Sequence, residues 1–339
     1  MPQTLELIVE PGSDEGRLDV YLAEVLSTRY GLALATRSQI QRLIREGGVS
    51  IDGRLVTRPA QMIGAGQRVA VILPSAQPSR AAPEQIPLDV AYEDQYLLVV
   101  NKPRGMVVHP AAGHSSGTLV NAVLAHVPEL RRDQDAQPLR PGIVHRLDRD
   151  TTGLIMVAKD HETRLKLSRQ IKDREVKRFY LALCAGRLSA DRGEIVAPIA
   201  RSSRDRKRMA VVREGGRSAA TSWCRLATFP GWDLLEVNLQ TGRTHQIRVH
   251  FAHIGHPVAQ DPVYGPRAGA RGPRLPVPLD GQALHAWRLE FKHPRSGQSM
   301  VLQAPPPSDL AAVLRELYLR SGLALPSWLA SIAAPGAQW

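Results

Sequence analysis

The chain has 339 residues, 43% of them hydrophobic, which at roughly 100–200 residues per domain suits two or three folded domains. Lys and Arg outnumber Asp and Glu 44 to 32 and the pI is near 10.2, a balance that favours a polyanionic partner, either nucleic acid or an acidic membrane surface. No run approaches the ~18 apolar residues of a membrane span, the acidic N-terminus does not resemble a signal peptide, and Cys184 and Cys224 show neither metal spacing nor a disulfide framework. A reducing, cytoplasmic location is the expectation.

Residues 1–73, with a core at 16–73, read as a small basic module. The helical spacing of Leu18, Leu22, Val25 and Leu26 predicts a helix from Arg17 to about Arg29. Thr36 and Gln39 match a capping box, which satisfies free donors at a helix start. The helix that follows, Arg37 to Glu46, is expected to bury Ile40, Leu43 and Ile44 and to stop at Gly47-Gly48. Asp52-Gly53 between Val49-Ser-Ile51 and Arg54-Leu-Val56 predicts a tight hairpin, because both turn positions need positive φ. Arg42 and Arg45 share a helix face with Arg37 nearby, which fits a solvated face or an RNA contact. The order of a helix, a capped basic helix, a DG hairpin and Gly64-Ala-Gly66-Gln-Arg68 resembles the S4 RNA-binding module. That resemblance implies that Arg37, Arg42 and Arg45 face RNA.

Residues 74–87 are rich in Pro, Ala, Ser and Gln and read as a linker. A large domain is expected over 88–325, with an unassigned tail at 326–339. Its strand-like runs include Tyr96–Asn101, Ile155–Ala158, Tyr180–Cys184, Ser222–Leu226 and Leu234–Leu239, and predicted helices cover Glu162–Ile171 and Thr244–Ile254. Strands in runs rather than in strict alternation with helices predict an α+β fold with a largely antiparallel sheet flanked by helices and loops. The segment containing Arg201, Arg204, Arg206, Lys207 and Arg208 reads either as an RNA-gripping loop or as a solvated hairpin tip. His245, His250, His253 and His256 lack the four-residue histidine spacing and nearby acid of a zinc helix, so no metal is expected. Ile247, Phe251 and Ile254 are taken as that helix's buried stripe, with the histidines polar or capping.

The densest chemistry lies in Gly142 to Lys159. Asp148 and Asp150 sit beside Arg146 and Arg149 in a loop bounded by Ile143-Val144 and by Leu154–Ala158. By itself this fits a functional loop held by rigid elements or a turn with local salt bridges. His145-Arg-Leu-Asp148 followed by Asp150-Thr-Thr-Gly153 resembles the signature of the RluA family of pseudouridine synthases. Arg178-Phe-Tyr180 is similar to the family's tyrosine motif, with arginine where lysine is frequent, and Leu239-Gln-Thr-Gly-Arg243-Thr-His-Gln-Ile-Arg248 is similar to its third motif. Asn101-Lys-Pro-Arg-Gly105, Asp261-Pro-Val-Tyr-Gly265 and Gln282-Ala-Leu-His285 follow the family order.

The resemblance implies an enzyme that breaks the N-glycosidic bond of a uridine, turns the uracil and rejoins it through C5, without redox chemistry or any cofactor. It implies Asp148 as the carboxylate acting at the ribose, Arg248 as its cationic partner and Tyr180 as the residue stacking on the flipped uracil. Arg146 would fill the vacated space or hold a phosphate, and Arg243 would touch the backbone. The implied partner is large-subunit ribosomal RNA, met by a monomer away from membranes.

Overall fold

The computed structural model describes residues 3–12, 15–28, 30, 37–73, 80–111, 114–135, 139–203, 205, 208–265 and 273–332. They divide into two compact units, Met1–Pro78 and Ser79–Trp339.

The first unit contains β1 (Gln3–Ile8), β2 (Gly16–Arg17), α1 (Leu18–Thr28), α2 (Arg37–Arg45), β3 (Val49–Ile51), β4 (Arg54–Leu55), β5 (Met62–Ile63) and β6 (Arg68–Leu73). Its four-stranded sheet runs β1-β6-β3-β4 and its second, two-stranded sheet joins β2 to β5. The predicted stripe of α1 packs as expected, since Leu18, Leu22, Val25 and Leu26 are all buried; on α2 Ile40 and Ile44 are buried, while Leu43 lies at the edge of the cluster. Asp52 and Gly53 have φ of 49° and 77°, the two left-handed positions that the β3–β4 hairpin requires. Thr36, of the expected capping box, lies outside the described residues.

Arg37 is committed within this unit. Its Nε donates to Asp19 Oδ2 at 3.0 Å, and the same carboxylate accepts from Arg17 Nε at 3.0 Å and Gln41 Nε2 at 2.7 Å. Asp19 has no exposed side-chain surface. Burial works against its charge, but bonds from Arg17, Gln41 and Arg37 hold its pKa well below the usual carboxylate range. Stability from this ion cluster is therefore complete above the ordinary aspartate pKa of ~3.9 and is lost as pH falls toward the depressed value. Asp19→Asn should cost about 1–3 kcal/mol locally. Amide exchange of α1 and α2 in the full chain should then accelerate by about tenfold or more, and unchanged exchange would refute the clamp.

The second unit contains β7 (Val90–Glu93), β8 (Leu97–Lys102), α3 (Leu119–His126), β9 (Thr152–Ala158), α4 (His161–Lys172), β10 (Lys177–Ala185), β11 (Arg192–Val196), β12 (Ile199–Arg201), β13 (Met209–Val211), β14 (Ala220–Phe229), β15 (Trp232–Leu239), α5 (Gln246–His253), β16 (Leu284–Lys292), β17 (Ser299–Gln303), α6 (Ser308–Arg320) and α7 (Ser327–Ala330). A nine-stranded sheet runs β11-β14-β15-β10-β16-β9-β8-β7, with β17 also on β16. The fold is the expected α+β arrangement, and its one parallel pairing among the described strands joins β9 to β16 at Thr152 and Gly153. There β16 forks, because its later residues Arg288–Lys292 pair with β17 instead.

The described parts of two stretches read from sequence as linker and tail are tied into this unit. Ala81 is buried, Asn121 Nδ2 donates to Ala82 O at 2.6 Å, and Glu84 N donates to Asn121 O at 2.9 Å, so residues 80–87 follow α3 rather than hanging free. At the other end α7 buries Leu329, and Trp328 packs against Trp287 at 5.9 Å. Composition reports polarity and proline content; it does not report which backbone groups find partners.

Candidate active site

The loop between Ile143 and β9 is pinned at successive residues. Lys102, at the end of β8, has no exposed surface, and its Nζ donates to the carbonyls of Pro103, Met106 and Arg149 at 2.8, 2.9 and 2.9 Å. Burial pulls its pKa down to about 7 against the fields of Asp150 and Asp148. Three acceptors match the ammonium form, which alone carries three protons. Arg104 Nη1 donates to Asp150 O at 2.9 Å, Gln282 Nε2 to Thr151 Oγ1 at 3.0 Å, and Thr152 Oγ1 meets His285 Nδ1 at 2.8 Å. Asp148 thus rises from a backbone with little freedom.

Gly153 explains how β9 meets β16. Its φ is 109°, and a Cβ there would collide with the backbone carbonyl and amide of Ala286. This glycine therefore serves a close strand approach rather than ordinary turn chemistry. Gly153→Ala should destabilise the large unit by about 3 kcal/mol or more, because backbone rather than a flexible side chain must move. Chemical unfolding of the variant would measure this, and an unshifted midpoint would refute the close-approach account.

The two candidate carboxylates separate. Asp150 is bound by the exposed neighbouring Arg149, with Nε and Nη2 both 3.1 Å from its carboxylate. Asp148 instead turns to α5, where Arg248 Nη1 donates to its Oδ2 at 2.9 Å. The other edge of Arg248 forks onto Asp261, Nε to Oδ2 at 2.7 Å and Nη2 to Oδ1 at 2.9 Å. Asp261 also accepts from the amides of Val263 and Tyr264 at 2.8 and 2.9 Å. Burial opposes charge on Arg248, yet bonds and fields from Asp261 and Asp148 outweigh it and raise its pKa. Asp261 likewise resists burial and keeps a lowered pKa, chiefly through Arg248. The fork fixes the guanidinium plane, so the remaining Nη1 is aimed at Asp148 without the entropy of a free arginine.

Asp148, Arg248, Tyr180, Arg146 and Arg243 all line one open cleft, together with Leu147, Leu239, Ile247, Leu284 and His245. Tyr180 lies where β10 has an irregular register against β16, between Phe179 and Tyr180, and such irregularities re-aim side chains. Burial, reinforced by Asp148 and opposed by Arg178, raises its phenol pKa, so it enters the cleft protonated. Arg146 is exposed. The helix starts at Gln246 rather than Thr244, so Arg243 lies in the turn before it, with Nε donating to Ser218 O at 3.0 Å. Gln246 secures this turn by accepting from Thr241 Oγ1 and Arg243 N and donating to Ala220 O and Thr221 Oγ1, at 2.8–3.0 Å.

The basic segment connects β12 to β13. Arg204, Arg206 and Lys207 lie outside the described residues, but Arg208 reaches the cleft region, its guanidinium 5.2 Å from the Tyr264 ring centroid. Arg37, Arg42 and Arg45 belong to the first unit; Arg42 and Arg45 are exposed, while Arg37 is engaged by Asp19.

The buried face of α5 needs correction. Ile254 is 38% exposed, whereas Arg248 and His250 are buried beside Ile247 and Phe251. His250 bonds Thr221 Oγ1 and Ala197 O, His256 bonds Ala185 O and His245 bonds Tyr264 Oη, so these histidines face different partners. Among the described residues no group of three His, Cys, Asp or Glu could hold a metal ion, and no helix is long and apolar enough to cross a membrane. Sequence reasoning assigned no role to Asp261, Tyr264 or Lys102, and took His245 only as a polar or capping residue of the helix. The available signal was that Lys102, Asp261 and Tyr264 lie in short motifs kept in the family's order.

Comparisons with known proteins identify the family. The RNA pseudouridylate synthase family matches residues 96–253 and the S4 domain matches 16–69. A ribosomal large subunit pseudouridine synthase D of Nitrosomonas europaea is 44% identical over 320 residues, 93% of this chain and 88% of that protein. An uncharacterised RNA pseudouridine synthase of Bacillus subtilis is 44% identical over 282 residues, 83% of this chain and 89% of its own. The solved human RNA pseudouridylate synthase domain containing 1 superposes with a TM-score of 0.53 at 25% identity, covering 74% of this chain and 98% of that one. Three motifs that lie far apart in sequence thus meet in one cleft, on a chain matched over most of its length by such relatives, and the protein belongs to the family of RNA pseudouridine synthases.

Proposed function

We propose that this enzyme converts uridines of large-subunit ribosomal RNA to pseudouridine in the helix 69 stem-loop, working as a cytoplasmic monomer without a cofactor. The observation that carries the chemistry is the Asp148–Arg248–Asp261 chain at the cleft, with Arg248 bonded to one oxygen of Asp148 and Oδ1 left for the ribose. Asp148 acts either by attack on C1′ or by removal of the C2′ proton, and both routes use that oxygen. Leu147, Leu239, Ile247 and Leu284 give apolar walls to a flat base, and Tyr180 stacks on it. With its pKa raised, Tyr180 is suited to holding the uracil more than to removing the C5 proton.

The target must leave its stack at a cost of a few kcal/mol. Arg146 at the mouth fills the vacated position, and Arg243, Arg208 and the neighbouring Arg204, Arg206 and Lys207 hold phosphates. Arg42 and Arg45 of the S4 unit, with Arg37 beside them, supply further binding that should weaken with salt. The RNA address rests on the S4 layout and on the similarity to a ribosomal large subunit pseudouridine synthase D, the Nitrosomonas protein. Mapping pseudouridines across ribosomal RNA in cells lacking the gene tests the proposal. Helix 69 sites should vanish; if no large-subunit site vanishes, the assignment fails. Release of free uracil would instead indicate a glycosylase.

A further inference from the structure

Asp148 has a second neighbour that the proposed chemistry leaves unused. His245 Nε2 lies 3.9 Å from Asp148 Oδ1, the oxygen Arg248 does not take. Its other nitrogen, Nδ1, is 2.9 Å from Tyr264 Oη. That oxygen already accepts the amide proton of Met209, at 2.8 Å, from the first residue of β13. The phenol can accept there and still send its own proton to His245 Nδ1; in that tautomer the imidazole proton sits on Nε2, facing Asp148. Burial lowers the pKa of His245 against the pull of Asp148, which suits a neutral ring carrying one N–H.

The backbone supports a built arrangement. His245 sits at φ 57°, ψ 20°, a left-handed conformation rare for a residue with a side chain, and it caps α5 without a side-chain bond to the helix. Such conformations persist where surrounding contacts demand them, frequently at reactive sites. Arg208 and Arg248 also each lie 5.2 Å from the Tyr264 ring centroid.

We propose that His245 is a positioning residue for Asp148, donating from Nε2 to one lone pair of Oδ1 in the RNA complex while the other faces the ribose, and that Tyr264 orients this donor. The inference rests on Asp148 being the acting carboxylate.

Single-turnover pseudouridine formation and binding of a large-subunit rRNA transcript, measured with the full-length protein, test it. His245→Asn tolerates the left-handed backbone and keeps a group near Tyr264 but withdraws the one facing Asp148. It should slow turnover about tenfold, the scale of one lost hydrogen bond, with RNA affinity within about twofold. His245→Gln reaches toward Oδ1 and should recover the rate to within about threefold of the parent. Tyr264→Phe should slow turnover as His245→Asn does, and the double variant should be no slower than the worse single one. A wild-type rate for His245→Asn, no advantage of Gln over Asn, additive losses, or a loss confined to RNA affinity would each overturn the proposal. Asp148→Asn is run alongside. If it keeps activity, the reading of the reaction fails; if it is inactive while His245→Asn is at full speed, only the role of His245 fails.

Discussion

Asp148→Asn is expected to reduce pseudouridine formation by about 10⁴-fold or more, some 5.5 kcal/mol of barrier, while RNA affinity stays within about twofold. The substitution keeps the shape of the side chain but removes the anionic oxygen that both routes at the ribose require. The loop should remain in place, because its anchors are Lys102 on Arg149 O, Arg104 on Asp150 O and Gln282 on Thr151, none of which touches the Asp148 carboxylate. Binding should persist because the exposed arginines around the cleft and on the S4 unit are untouched. A protein that only bound RNA would be indifferent to this change. Retained turnover would sink the assignment of Asp148, and lost binding would show that the carboxylate organises the RNA surface instead.

The second large effect concerns Arg248, where two substitutions should fail differently. Lysine offers a point charge and cannot reproduce a planar fork onto Asp261 together with a third bond to Asp148. Arg248→Lys should therefore lower turnover by about 10²–10³-fold, comparable to losing one preorganised electrostatic contact, with a modest change in unfolding midpoint. Arg248→Ala leaves Asp261, which has no exposed side-chain surface, without its counter-charge, and breaking a buried pair in this way costs about 3–5 kcal/mol. Unfolding of both variants by urea and single-turnover rates separate the two roles. Equal stability of the alanine and lysine variants would show that the Asp261 fork is not structurally coupled to the fold.

The contrast between Asp148 and Asp150 shows where sequence reading stopped. In the chain both carboxylates lie beside arginines two positions apart, and either could be a turn salt bridge. Only the fold gives Asp150 to its neighbour Arg149 on the surface and Asp148 to an arginine on a distant helix. The α5 helix gives a second case. Its apolar residues suggested a stripe ending at Ile254, but the helix is packed around most of its surface, so apolar periodicity no longer marks the inward face. Arg248 and His250 are inside because Asp261, Asp148, Thr221 and Ala197 offer them partners, and Ile254 is left outside.

The S4 unit was the most legible, since its helices and DG hairpin are specified by local rules: helical spacing of apolar residues and two positive-φ turn positions. The three large-domain motifs were legible because their residue types are unusual in combination, and they named Asp148, Tyr180 and Arg248 without any distance between them. The supporting shell was not legible. Asp261 aims Arg248, Lys102 and Gly153 fix the loop beneath Asp148, and His245 and Tyr264, though each lies in a motif, meet only in the folded chain. Each of these depends on a contact between residues remote in the chain, a burial that makes one hydrogen bond decisive, or a strand approach that only a missing Cβ permits. The sequence alone determined which carboxylate to test and what chemistry to expect of it; tertiary structure decided which of its oxygens is free, because that depends on where Arg248 and Asp261 are held.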